Sequence, residues 1–372
     1  MFFVYLWFPL LLSGQYTMIP DPNFEQVLID MNVDDTLDGR VLTASIDTVR
    51  QLQLSYKNIS DLTGIQDFSA LEVLSAAWTP LTRLEISNLN QLNAVYLEYS
   101  NLNQLLITGC PQLEVLSCHD NFIDNINITG NTNLKYLYIF NNQITQIDLS
   151  TNISLVNFIA FNNLLASLDF SNHVFLEDIL VYNNDLSHLT LPLQGLLTQL
   201  VCADNPQLSG YLDLSWASNL NQIVIDNTAI EKLNIRNGNN PFVLQMSADN
   251  CNDLTCVVVD DSTATYINNW NIPNHTQVVE RPESCENMHT AETSVADINA
   301  FPVPANHKLF IKSKDETNDL EVDCYDLSGK LIYSAKLKNN NHIDTTHWKE
   351  GTYILKIKTP KSLFVTKVLI AR

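Results

Sequence analysis

The sequence predicts a mainly β protein, a solenoid of about nine 21-residue turns followed by a small antiparallel β-sandwich. Three observations carry this. One pattern recurs every 21 residues from Leu71 to about Ile235, and a fixed period of that size marks stacked repeats. The apolar residues within each copy alternate as in short, half-buried strands. Finally, composition changes near Asp297. The last 76 residues hold 12 Lys+Arg and 9 Asp+Glu, and the preceding 296 hold 8 and 32. The two parts therefore carry about +3 and −24, which together give the chain's −21, and an asymmetry of this size argues for two domains.

The repeat is clearest in "LEVLSCHDNFIDNINITGNTN" from Leu113 and "LKYLYIFNNQITQIDLSTNIS" from Leu134, with further copies starting at Leu155 and Leu176. Counting from Val49, copies begin at Leu71, Leu92, Leu113, Leu134, Leu155, Leu176, Leu197 and Leu220; the first step is one residue long, and the Leu197 copy carries two extra. Apolar residues stand at offsets three, five, ten, thirteen and fifteen, a polar side chain at eight. The frame L-x-x-L-x-L-x-x-N-x-L resembles that of leucine-rich repeats. Each copy leaves an apolar face that only its neighbours can cover, and burying one such aliphatic side chain contributes about 1.5–3 kcal/mol. Asn121, Asn142, Asn163, Asn184 and Asn205 recur at offset eight, with Asn58 assigned to the first copy; Thr79, Ser100 and Thr228 replace Asn elsewhere. Where a strand ends, backbone groups need partners, and an amide offers both donors and an acceptor. These residues read as an internal ladder.

The chain opens on "MFFVYLWFPLLL", the length of a signal-peptide apolar core and too short to span a membrane, although no Lys or Arg precedes it. Export is expected, with cleavage near Gly14 or Gln15. "DPNFEQVLIDM" has helical spacing at Phe24, Val27, Leu28 and Met31. The acidic run from Asp30 to Asp38 lacks the Gly and Glu of a calcium loop, for Asp35 and Val41 hold those places, and reads as a solvated loop. The stretch up to Ala70 resembles the amino-terminal cap that precedes such repeats in secreted proteins of Bacteroidetes-type bacteria. Beyond Ile235 the phase degrades, and "CNDLTCVVVDDSTATYINNWNIPNHTQVVERPESC" resembles the carboxy-terminal cap of the same families. In an exported protein a disulfide closing that cap is expected. Cys256–Cys285 is the first choice, with pairings through Cys251 open. Cys118 and Cys202, at buried offset five, are expected as free thiols.

The tail reads as short strands, "KLFIKS", "LEVDCYDL", "KLIYSAKL", "TYILKIKT" and "LFVTKVLIA", separated by turn residues such as Ser328-Gly329 and Glu350-Gly351. Its "FPVPANHKLFI", "VDCYDLSGKLIY", "IDTTHWKEGTYILKI" and "TKVLIAR" resemble the carboxy-terminal type A sorting domain of the type IX secretion system, with Val303 where that family usually has Asn. Together these readings expect a signal peptide at 1–15, an amino-terminal cap and first repeat at 19–70, the array at 71–241, a carboxy-terminal cap at 242–285, a linker at 286–296 and, by the resemblance, the sorting domain at 297–372. The resemblance also implies the secretion machinery as partner of residues 297–372.

No G-x-S-x-G, H-E-x-x-H, glycine-rich phosphate loop or C-x-x-C occurs. No catalytic residue, metal or cofactor is therefore assigned, and the chain is not expected to be an enzyme. An isoelectric point near 4.5 argues against nucleic acid as a partner. Offsets two, four and six should face outward on the strand surface. There Tyr96, Tyr136, Tyr138, Phe140, Phe161 and Tyr182 gather over the central copies as a candidate ligand patch, with Ser117 between Tyr96 and Tyr138 leaving a slot roughly 10 Å wide. The expected function is that of a secreted or surface-attached binding protein, for an extracellular protein or in adhesion. One alternative is an extracellular polysaccharide binder; the other is a secreted hydrolase with its site in the cap between Cys251 and Cys285.

Overall fold

A computed structural model describes residues 15–285, 298–301, 308–313, 320–326, 330–337, 342–358 and 363–370. The apolar leader, the 286–296 linker and the Val303 segment lie outside the described residues. The chain divides into two compact units, Met1–Met288 and His289–Arg372.

The first unit is a stack of turns. Ten three-residue strands, from Gln51–Gln53 to Gln245–Ser247, form one parallel sheet in strict chain order. Register is constant: Leu116, Leu137, Phe158, Ile179 and Leu200 lie side by side at offset three. Each is buried because the strand shows it to the interior while its neighbours point out. The opposite wall is built from smaller parallel sheets, one of them formed by Arg83–Ser87, Gln104–Thr108 and Ile126–Asn127. A single apolar core runs unbroken from Ile19 to Trp270.

The solenoid continues past the point where the sequence pattern fades. Gln245–Ser247 adds a tenth strand, and Cys256–Val258 and Gln277–Val279 extend the opposite wall. The phase is lost to the eye because "NGNNP" lengthens the step to Val243, while the strands themselves stay in register.

At the start, Tyr16–Met18 pairs antiparallel with Arg40–Leu42, and helix Pro22–Asp30 buries Phe24, Val27 and Leu28 over the first turn. Asp21 caps this helix, accepting from the Asn23 and Phe24 amides, and also accepts from the Ser60 and Asp61 amides of the first repeat. Burial alone would raise its carboxyl pKa; the hydrogen bonds from Ser60, Phe24 and Asn23 outweigh it and lower the value. The acidic loop is organised by Glu25, a buried carboxylate whose Oε1 accepts from the amides of Asp38, Gly39 and Arg40 at 2.9, 2.7 and 3.0 Å.

The second unit is a sandwich of two antiparallel sheets. Leu320–Asp326 lies between Leu331–Leu337 and Gly351–Lys358, which pairs with Leu363–Ile370. The facing sheet joins Ile298–Phe301, Lys308–Ser313 and His342–Asp344. Leu309, Ile311, Val322, Cys324, Leu355 and Ile357 are buried in its core.

Candidate functional site

The polar residues at offset eight are wholly interior. In each turn the Asn amide donates to the offset-five carbonyl of its own turn and of the turn before. Asn142 donates to Cys118 and Ile139 at 3.0 and 3.1 Å, Asn163 to Ile139 and Ala160 at 2.9 and 3.2 Å, and Asn184 and Asn205 repeat the motif. Their Oδ1 atoms accept from an inner amide of the turn before, as Asn121 does from Leu102 and Asn142 from Ile123, both at 2.9 Å. Thr79, Ser100 and Thr228 hold carbonyls in the same column with hydroxyls. Asn58 stands outside the ladder. Lys57 is an extra residue that pushes it one place on, and Asn58 is exposed with a φ of 51°.

A second internal column was not visible in the sequence. Asn131, Asn152 and His173, at offset eighteen, are buried and bond backward to the carbonyls of Cys110, Ile128 and Leu149. His173 is thus part of the frame. Burial holds its pKa below the ordinary imidazole value, only partly offset by its hydrogen bond to Leu149, and its Nδ1 has no partner.

On the outer face the structure brings the candidate patch together, at offsets two, four and six of neighbouring turns. Tyr96 and Tyr138 flank Ser117 in one row. The rings of Phe140, Phe161 and Tyr182 stack at 4.4 Å between successive centroids, within 17° and 8° of parallel. All six aromatics are half-buried rather than freely exposed. Burial raises the Tyr138 hydroxyl pKa, with smaller contributions from Tyr136, Asp178 and Tyr96. Ser117 is only 5 % exposed, so the expected slot is closed: the neighbouring side chains leave water almost no access to its floor.

The stack is longer than the patch. His119 lies 4.0 Å from Phe140 and meets Tyr99 edge-on at 5.3 Å; Tyr99 stacks on Trp78 at 4.3 Å, and Trp78 on Tyr56 at 5.7 Å. Seven rings in seven consecutive turns make one stripe. Between Tyr99 and His119 it changes column. His119 to Tyr182 occupy offset six, whereas Tyr56, Trp78 and Tyr99 occupy offset seven, where every turn has a left-handed backbone. In the later turns that position holds Asp120, Asn141, Asn162, Asn183, Asp204, Asn227 and Asn250, residues that tolerate positive φ. They form an outer ladder, with Asn141 to Asp120 at 2.8 Å, Asn162 to Asn141 at 2.6 Å and Asn183 to Asn162 at 2.7 Å. The repeated "NN" and "DN" pairs were its signal.

Cys256 and Cys285 form a disulfide at a Cα separation of 5.7 Å. Cys110, Cys118, Cys202, Cys251 and Cys324 are buried free thiols. Burial pushes the Cys118 and Cys202 pKa values up to about 12, so neither is a nucleophile at neutral pH. Among the described residues no cluster of three or more His, Cys, Asp or Glu could hold a metal ion, and no helix is long and apolar enough to cross a membrane.

Residues 299–371 match the family model of a secretion system C-terminal sorting domain, and residues 111–152 match that of leucine-rich repeats in two copies. No curated protein matches the chain. Among solved structures, the functional domain of InlJ from Listeria monocytogenes, which includes a cysteine ladder, is similar at 18 % identity and a TM-score of 0.42, covering 96 % of this chain and 99 % of that one. The leucine-rich repeat domain of APL1B is similar at 19 % identity and 0.45, over 64 % and 77 %. The leucine-rich effector YopM from Yersinia pestis is similar at 16 % and 0.36, over 62 % and 76 %. The chain thus carries leucine-rich repeats, matched at residues 111–152 and continued in register by its own 21-residue turns, and a secretion system sorting domain matched at residues 299–371.

Proposed function

We propose that the repeat unit is a non-catalytic, protein-binding module presented outside the cell, and that residues 297–372 are its address to the type IX secretion machinery. Adhesion or capture of an extracellular protein is the role this arrangement serves. The observation that carries the reading is the stripe of stacked rings. Phe140 has His119 on one face and Phe161 on the other, and Phe161 has Phe140 and Tyr182. Their faces are used within the stack, and what they offer outward is edges. A sugar that packs its C–H face on an aromatic ring needs a free face. Ring edges, apolar and weakly positive, suit the apolar side chains of a protein. An aromatic strip of this length, rimmed by polar groups, has the composition of the centre of a protein interface.

Fractionation of the native host tests the address. The full chain should reach the surface or the medium without residues 297–372, and a chain stopped at Val295 should stay in the periplasm. Equal localisation of the two, or a tail retained in the mature product, counts against it. The choice of ligand class is tested by affinity gels loaded with polysaccharides. Retention that is lost in Tyr138→Ala with Phe161→Ala would favour the glycan over the protein.

A further inference from the structure

Three of the stripe's rings sit where the backbone gives them no reason to be. Tyr56, Trp78 and Tyr99 have φ of 63°, 57° and 54°, a left-handed conformation that bulky side chains seldom adopt and that Asn and Asp accept readily. The same position in the next seven turns is Asn or Asp, mostly bonded to its neighbour in the outer ladder. An Asn or Asp would therefore serve the fold at all three. Packing does not explain the aromatics either. They remain 73 %, 49 % and 43 % exposed, although they touch one another. Strain kept at exposed positions points to a function outside the fold.

The surroundings say what kind of partner fits. Asp120 takes the next place in the column of Tyr56, Trp78 and Tyr99, Lys57 adjoins Tyr56 and Glu98 adjoins Tyr99 in the chain, and the part of the chain before Asp297 carries about −24. Arg50 is already paired with Glu72 at 2.8 Å. Glu98, the residue before Tyr99, has a buried Oε2 without a hydrogen-bond partner. Its backbone carbonyl accepts from the Trp78 amide at 2.9 Å, so Glu98 joins the turns of the two rings. Apolar rings exposed on so acidic a unit complement a surface of opposite charge with an apolar centre.

We propose, resting on the protein-binding reading above, that Tyr56, Trp78 and Tyr99 form the principal contact for a polypeptide partner whose apolar side chains are flanked by Lys or Arg. These residues lie outside the central patch of Tyr138 and Phe161, and the two sites can be separated by mutation.

The probe is a random peptide library displayed on phage and selected on the immobilised full chain. Enriched peptides should combine apolar residues with Lys or Arg, and rising salt should weaken them. Trp78→Asn and Tyr99→Asn each install the residue type of the later turns, so the fold should hold and the melting temperature should not fall, while affinity drops about tenfold or more. Selection of acidic peptides, or of none, overturns the proposal. So does binding that survives both Asn variants but is lost in Tyr138→Ala; in that case the general binding reading stands and the assignment to these three residues fails. A lowered melting temperature with unchanged binding would make the three rings structural and overturn it as well.

Discussion

The first three turns and the seven after them share one backbone and differ in one column. At the left-handed position, Tyr56, Trp78 and Tyr99 give way to Asp120, Asn141 and their successors with φ almost unchanged. One residue further on, the inner column keeps buried polar side chains from Thr79 and Ser100 through Asn205 and Thr228. The comparison separates two kinds of repetition. The inner column repeats because each turn leaves the same amides and carbonyls to be satisfied. The outer column has no such demand, and its side chains are free to change with what the surface meets.

Perturbations of the interior should be largest. Leu137→Ala removes a fully buried side chain and should lower stability by about 2–5 kcal/mol in urea titration. Asn142→Ala should follow. The carbonyls of Cys118 and Ile139 retain second donors in Asn121 and Asn163, but the buried Ile123 amide loses its acceptor, a loss of about 1–3 kcal/mol.

The offset-eighteen column gives a pH test. His173 has its folded pKa depressed below 6.5, so below that pH the unfolded chain binds a proton that the folded chain resists. Its contribution is intact above the unfolded value and is lost as pH falls through about 6.5. His173→Asn places there the residue of the two preceding turns. It should flatten this part of the stability curve measured by thermal melting at stepped pH. An unchanged curve would assign the acid sensitivity to other groups.

On the outer face effects should shrink. Phe161→Ala breaks two stacked contacts of a half-buried ring, worth about 0.5–1.5 kcal/mol each beyond burial. A loss as large as that of Leu137→Ala would mean that the stripe is part of the core.

Much of this architecture could be read from the sequence, and the reasons are particular. Leu116 and Leu137 recur at 21 residues because every turn buries the same strand position, and Asn121 to Asn205 recur because every turn leaves the same groups unpaired. The antiparallel tail announced itself through alternation in "LEVDCYDL" and "TYILKIKT". What escaped depends on facts that no residue carries alone. Lys57 shifts Asn58 out of register by one place. The inner column at offset eighteen changes chemistry from Cys110 to Asn131 to His173, so it shows no period in letters. Ser117 is buried by its neighbours' side chains, not by its own nature. The stripe crosses from offset seven to offset six at Tyr99 and His119, and a count at fixed offset sees only its second half.

The interior columns hold this solenoid and the outer rings do not. Melting Trp78→Asn beside Asn142→Ala tests it most directly. The midpoint of Trp78→Asn should lie at or above that of the parent chain, and that of Asn142→Ala should fall clearly. A fall in Trp78→Asn as deep as that in Asn142→Ala would contradict it, and would make the aromatic stripe a structural spine instead of a surface for a partner.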